Sequence, residues 1–320
     1  MPKLADNLVK CVFYLYSHNP ETGKLSELKG TGFLVARQSS ILPYTWHVYA
    51  VSNRHVVGNH GGSSLRINTK NGSIRFIEYE PTDWTWSDTS DLAIIDVTDQ
   101  LDLNLTTGIW SDEISWVDEI NFVPEQHRSG YGIGVGDNTI MLGLFANHSN
   151  APINMPVGRF GNVAAIPNES NPVRLTPVDL FAGPAYLNDI RSRTGFSGSP
   201  VWVWRTPSDD MDAHKNAQGI WPSIFPPQSS SFLALIGIHR GQFPDLVQIR
   251  LSDTGRYHDA EIPSSMTVVV PAWEITNLMN KTALIQIAAQ RDQRPERITY
   301  SETISSIMRA QEGRITGSIA

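Results

Sequence analysis

An all-β chain that finishes in helix is what the sequence predicts, and three observations carry the prediction. Short runs of β-forming residues recur along most of the chain, broken by Gly, Asn, Pro and Asp. Helical periodicity is missing until Pro271, after which Trp273, Ile275, Leu278, Met279, Leu284, Ile287 and Ala288 return at helical spacing. No repeat of solenoid period and no long low-complexity segment is visible.

The elements follow in order. Residues 8–16, 32–36 and 48–52 form the opening runs. Segments 64–69 and 73–79 flank Lys70-Asn71-Gly72, and Asn-Gly predicts a tight hairpin whose two turn residues both accept positive φ. A solid apolar run at 92–97 precedes a polar stretch at 98–113. The pattern resumes at 114–123, 139–145, 173–178, 200–204, 232–238, 247–251 and 267–270. So many short strands separated by turn signals favour barrels or sandwiches. Pro271 is placed to start a helix, and a second helix is expected near 302–311. The expected division is a β-unit at 1–105, a second at 106–270 and a helical tail at 271–320. An insertion at 205–231 carries four prolines and the acidic cluster Asp209, Asp210 and Asp212, read as solvated loop charge because no ligand spacing is evident.

Composition narrows the function classes. The 320 residues include 25 basic and 32 acidic side chains, a formal net charge of −7, with 40% hydrophobic and 18% charged residues. A mildly acidic chain with no basic run is poorly suited to nucleic acid or anionic membranes. No apolar stretch approaches the roughly 20 residues of a membrane span. The start, Met1-Pro2-Lys3-Leu4-Ala5-Asp6, does not read as a signal peptide. The single cysteine, Cys11, excludes an internal disulfide and a Cys/His zinc box. A cytoplasmic protein without metal or organic cofactor is expected.

Three segments carry chemistry. Ser52-Asn53-Arg54-His55-Val56-Val57 takes a strand into a polar turn holding a histidine; Ser90-Asp91-Leu92 places a carboxylate at the mouth of a buried strand; Thr194-Gly195-Phe196-Ser197-Gly198-Ser199-Pro200 packs small residues around a serine. Each is weak alone. Together they supply a nucleophile, a base to deprotonate it, and a carboxylate to fix the tautomer of that base. Glycine at 195 lets a backbone N–H face the atom under attack, and Gly198 leaves room for substrate. The serine segment departs from G-x-S-x-G at Ser199, and the order His, Asp, Ser does not fit the nucleophile elbow of α/β-hydrolases. His60 is a rival base, but it lies in a Gly-Asn-His-Gly-Gly loop.

The chain resembles the trypsin-like serine peptidases of the chymotrypsin fold. The resemblance rests on Gly30-Thr31-Gly32-Phe33-Leu34-Val35, Asn53-Arg54-His55-Val56-Val57, Asp91-Leu92-Ala93, Gly195-Phe196-Ser197-Gly198-Ser199-Pro200 and Leu235-Ile236-Gly237-Ile238-His239-Arg240-Gly241. Gly-Ser-Pro after the serine and Gly-Ile-His before a glycine look most like the glutamyl endopeptidase branch. The resemblance spans about 10–275. It implies two six-stranded antiparallel β-barrels, with His55, Asp91 and Ser197 as catalytic triad and the amides of Gly195 and Ser197 as oxyanion hole. It also implies a substrate strand along His239–Gly241 and a specificity pocket lined by Arg191, Ser192, His239, Arg240 and Gly241, preferring Glu, Asp or Gln.

Digestive members carry Asp immediately before the nucleophile; here Phe196 stands there, so activation by that ion pair is not available. Phe196, the insertion and the tail together point to activity governed by a protein partner or a loop. The expected function is a serine endopeptidase acting on protein or peptide substrates through an acyl-enzyme on Ser197. The alternatives are an inactive two-barrel module that captures peptides by strand addition and an esterase on the same triad.

Overall fold

Runs of β-branched and aromatic residues pair into two sheets in this computed structural model. It describes residues 4–18, 22–101, 103–104, 109–110, 112–125, 132–146, 152–175, 179–205, 232–250 and 257–317. The first sheet contains β1 (Val12–His18), β2 (Leu25–Gln38), β3 (Trp46–Ser52), β4 (Ser64–Asn68), β5 (Ile74–Ile77), β6 (Thr85–Trp86) and β7 (Ala93–Asp96). A two-stranded ribbon follows, β8 (Leu103–Asn104) with β9 (Ile109–Trp110), and then β10 (Val117–Asp118), which returns to pair parallel with β2. The second sheet is built from β11 (Asn138–Gly143), β12 (Val157–Ala165), β13 (Tyr186–Asp189), β14 (Pro200–Arg205), β15 (Phe232–Arg250) and β16 (Tyr257–Pro271).

The second sheet closes on itself as a six-strand barrel in the order β11-β12-β13-β16-β15-β14. The first runs β5-β4-β1-β2-β3-β7-β6 with β10 beside β2, eight strands whose outer members do not pair with each other. Closure stops at β6, only two residues long and preceded by the Pro81–Asp83 turn, so a ladder across the seam has no length to form.

Strand periodicity explains the solid apolar runs. In β1, Phe13 and Leu15 face the core inside the first sheet, whereas Val12 and Tyr14 face a second core shared with the barrel. The same alternation divides β2, with Leu34 and Ala36 inward and Phe33 and Val35 toward the shared core. Strands covered on both faces read as unbroken hydrophobic runs. The shared core also takes Leu142, Trp202, Leu235 and Ile238 from the barrel, and Ile275 and Leu278 from α2 (Ala272–Met279). The barrel interior is a third core, containing Met141, Tyr186, Phe196, Val203 and Val269.

Several local expectations change. Residues 8–11 are not strand: Leu8 and Val9 belong to α1 (Asp6–Lys10), which packs them onto the shared core. The Asn-Gly hairpin joins β4 to β5, but only Gly72 takes positive φ (80°). Its turn closes from the Gly72 amide to the Thr69 carbonyl (3.0 Å), a four-residue turn ending in a left-handed glycine. Segment 114–123 yields only β10 and one 3-10 turn, Glu119–Asn121. Strands β12 and β13 lay outside the expected runs; Gly158 and Gly161 interrupt the hydrophobic pattern of β12. Residues 206–231, with their acidic cluster, lie outside the described residues, as do 176–178.

The tail continues past α2 in α3 (Thr282–Asp292) and α4 (Pro295–Gly317), which dock on the first sheet. Arg291 donates to both oxygens of Asp96 (2.8 and 3.0 Å) and to Asp99, while Asp292 accepts from Ser39 (2.6 Å) and pairs with His47 (3.1 Å). Among the described residues, no helix is long and apolar enough to cross a membrane.

Candidate active site

β3 delivers His55. The strand ends at Ser52, and the chain turns through one π-helical turn, His55–Asn59, with the His60 amide donating to the His55 carbonyl (3.0 Å). Two contacts to one carbonyl aim this turn: Asn53 Nδ2 (3.1 Å) and the Arg54 amide (3.2 Å) both donate to the backbone oxygen of Asp91. The Asp91 carboxylate then accepts twice from His55, from the backbone amide at Oδ1 (3.0 Å) and from ring Nδ1 at Oδ2 (2.6 Å). A carboxylate only accepts, so Nδ1 carries the proton and Nε2 is left as the basic nitrogen. Asp91 is buried (4% exposed) and His55 partly open (25%), an orienting carboxylate behind an imidazole that faces solvent. His60 lies exposed beside His55, ring centroids 5.4 Å apart, and is outside this pair.

Ser197 sits at the junction of two tight turns. The Phe196 amide donates to the Arg193 carbonyl (3.1 Å), and Gly195, at the third position of that turn, has φ +101°. The Ser199 amide donates to the Phe196 carbonyl (3.0 Å), with Gly198 at φ +88°. Positive φ at the third position makes both turns type II, the form in which the central peptide is reversed relative to type I. Among the described residues, no acceptor takes the amides of Gly195 and Ser197, which leaves two N–H groups beside the hydroxyl. Phe196 is fully buried in the barrel core, under the guanidinium of Arg159 at 5.6 Å.

Gly30-Thr31-Gly32 joins the two halves. The Thr31 amide donates to the Ser197 carbonyl (3.0 Å), its hydroxyl donates to the Gly195 carbonyl (2.7 Å), and its carbonyl accepts from Ser52 (2.7 Å). A side chain at Gly30 would meet Val56 and the Ser197 carbonyl, and one at Gly198 would collide with the Thr31 carbonyl. His55 and Ser197 thereby line one cleft of about 630 Å³, together with Asp91, Arg240, Gly241 and Gln242. The Ser197 hydroxyl points to the Arg240 carbonyl (3.4 Å) rather than to the His55 ring.

The expected pocket residues separate. Ser192 and His239 come together, Ser192 Oγ to His239 Nε2 at 2.8 Å, both buried, and among the described residues His239 Nδ1 has no partner. Burial, reinforced by the charge of His55, pushes the His239 imidazole down to about 3. Arg191 and Arg193 are exposed. Arg240 is the bulged residue between His239 and Gly241 of β15, and the bulge turns its side chain away from the pocket, toward the carboxylates of Asp179 and Asp91. Its cation is already paired and does not serve an incoming carboxylate. The ladder from β14 ends at Ile238, so the edge beyond His239 faces the cleft.

Sequence reasoning missed Asp179, Phe181 and Arg54, which also line the cleft. Only Arg54 gave a signal, as neighbour of His55; Asp179 lies far from any motif. Among the described residues, no cluster of His, Cys, Asp or Glu is arranged to hold a metal ion.

No protein-family model matches the chain, and no curated protein matches its sequence. Solved structures do. The HtrA-type protease AlgW with a decapeptide aligns with a TM-score of 0.44 and 13% identity over 88% of this chain and 66% of that one, so this chain spans just under two thirds of AlgW. The Rv3671c protease from M. tuberculosis in its active form aligns at 0.41 and 15%, over 88% of this chain and 86% of that one. An inactive form of Rv3671c from M. tuberculosis H37Rv aligns at 0.43 and 13%, over 89% and 95%. The narrower resemblance to the glutamyl endopeptidase branch gains nothing from them.

Proposed function

We propose that the chain is a serine endopeptidase that cleaves peptide bonds through an acyl-enzyme on Ser197. The observation that carries this reading is a His55–Asp91 pair lining the same cleft as Ser197, with the amides of Gly195 and Ser197 taken by no acceptor among the described residues. In the reaction, Ser197 Oγ turns about its Cα–Cβ bond from the Arg240 carbonyl to His55. Its proton passes to His55 Nε2 as Oγ bonds to the substrate carbonyl carbon, and Asp91 stabilises the imidazolium. The carbonyl oxygen takes up negative charge facing the Gly195 and Ser197 amides, each such donor contributing about 3–4 kcal/mol. The C–N bond breaks, the amine leaves with the His55 proton, and water repeats the steps to release the acid.

The pocket favours a neutral amide over a carboxylate before the cut. His239 is uncharged at neutral pH, and Arg240 is engaged by Asp179 and Asp91. A buried carboxylate would go unpaired there, whereas a glutamine side chain can donate and accept. Peptides with Gln at that position are expected to be cut faster than Glu counterparts; the reverse order would remove the amide reading. We further propose that the substrate is a cytoplasmic protein and that a partner or loop governs activity.

A second reading, a peptide-binding module without turnover, is favoured by the Ser197 hydroxyl lying against the Arg240 carbonyl. A fluorophosphonate probe separates the two. Labelling of the wild type that disappears in Ser197→Ala supports the peptidase; an unlabelled wild type supports the module.

A further inference from the structure

We propose that Arg240 is a positioning residue that couples the 179–181 segment of the barrel to the Asp91–His55 pair. This rests on the peptidase reading above and adds a residue to it. Arg240 Nε lies 3.4 Å from Asp91 Oδ2, the same oxygen that accepts His55 Nδ1 at 2.6 Å. At the other end of the guanidinium, Nη2 pairs with Asp179 and Nη1 donates to the Phe181 carbonyl (3.1 Å). The Arg240 and Asp91 side chains are 8% and 4% exposed, so water screens this contact little. Four charged or chargeable groups thus stand in line across the boundary between the sheets, imidazole, carboxylate, guanidinium, carboxylate.

The physical consequence is competition. A guanidinium on Oδ2 draws on the lone pairs that steady the imidazolium, and its charge opposes the one His55 acquires when it takes the serine proton. Asp179 offsets that charge. Its carboxylate is held in place by the amides of Leu175 (3.2 Å) and Phe181 (3.3 Å). The Phe181 ring lies against both Arg240 (5.9 Å) and Arg54 (5.6 Å), the residue preceding His55. Leu175 approaches Gly241 closely enough that a methyl group there would meet it at 3.0 Å. Because Leu175, Leu180 and Phe181 line the cleft, a substrate seated on them bears on Asp179, and through Arg240 on the strength of Asp91.

Other charges face the same pair. His60 lies beside His55, and His239 sits one residue before Arg240. Glu125, Glu169 and Glu274 line a cavity of about 370 Å³ behind Asp91 and Arg240. None of them bonds to Arg240, so substitutions at 240 and 179 isolate the line.

The test is the rate of fluorophosphonate labelling of Ser197 across pH, for wild type, Arg240→Met, Arg240→Lys and Asp179→Asn. Removing the cation favours the imidazolium, so Arg240→Met moves the acid limb to higher pH and slows labelling at neutral pH by up to roughly a hundredfold, the scale of a small misplacement. Removing the offsetting anion moves the limb of Asp179→Asn to lower pH. Arg240→Lys keeps the charge and falls between wild type and Arg240→Met. Opposite displacements in the two charge-removing variants support the coupling. A labelled wild type whose limb moves in neither variant, or the same way in both, overturns it and leaves the peptidase reading intact. An unlabelled wild type overturns both. Should Arg240→Met fail to fold, Asp179→Asn decides alone, since an unmoved limb there contradicts the proposal.

Discussion

The Thr31 hydroxyl donates to the Gly195 carbonyl at 2.7 Å across 164 positions of sequence, and accepts the Leu144 amide at 2.8 Å. One side chain from the first sheet therefore fixes the peptide plane of the turn that presents Ser197. Thr31→Val keeps the shape and removes both bonds, leaving a buried carbonyl and amide unpaired. The expected cost is about 1–3 kcal/mol per orphaned group, read as a lower melting temperature. Serine labelling should slow more than stability alone explains, because the Gly195–Phe196 peptide next to the nucleophile is no longer held.

Much of this site was legible because its chemistry is local. His55 follows a strand, Asp91 precedes one, and Ser197 is ringed by Gly195 and Gly198, whose positive φ only glycine accepts readily. What stayed hidden depends on a third dimension. Arg240 occupies a bulge that no pattern of residue types announces, and Asp179 meets it across 61 positions. Without the bulge Arg240 reads as a pocket residue. Similarly, the solid apolar runs of β1, β2 and β3 signal strands buried on both faces, but the seam that leaves the first sheet open depends on the shortness of β6.

Gly195→Ala and Gly198→Ala should part company. At 195 a methyl group meets Leu144 at 3.1–3.2 Å and positive φ is strained, so the turn can escape by reversing its central peptide. The variant is expected to fold with a loss of roughly 1–2 kcal/mol and to lose serine labelling. At 198 the methyl group collides with the Thr31 carbonyl and the Ser52 hydroxyl, neither of which can retreat without opening the junction of the two sheets. That variant should be recovered only as insoluble or unfolded protein, checked by expression and circular dichroism.

His239 makes stability depend on pH. Its folded-state value is about 3 because burial opposes the charged form, against the ordinary 6.5. Above that ordinary value both folded and unfolded chains hold it neutral, and its contribution is complete. As pH falls below it, the unfolded chain binds a proton that the folded chain refuses, and stability declines until the folded-state value is reached. His239→Gln, which does not titrate, should flatten this part of the curve of melting temperature against pH. An unchanged slope would show that the imidazole is not held neutral.

Beyond α2 the tail is held by buried charge as well as by Leu284, which α3 places in the shared core. Arg291 is buried and bridges Asp96 and Asp99, and Asp292 next to it reaches Ser39 and His47. Arg291→Met replaces the guanidinium with a side chain that cannot satisfy Asp96, whose carboxylate is 7% exposed. Breaking a buried pair from one side costs about 3–5 kcal/mol, and the loss should appear first as release of α3 and α4. Hydrogen exchange should then rise across 282–301 while β11 and β14 of the barrel keep their protection, because α2 remains anchored through Ile275 and Leu278 in the shared core. Adding Asp96→Leu to Arg291→Met removes the stranded carboxylate as well, and recovery of most of the lost stability would identify unpaired charge, rather than lost packing, as the cause.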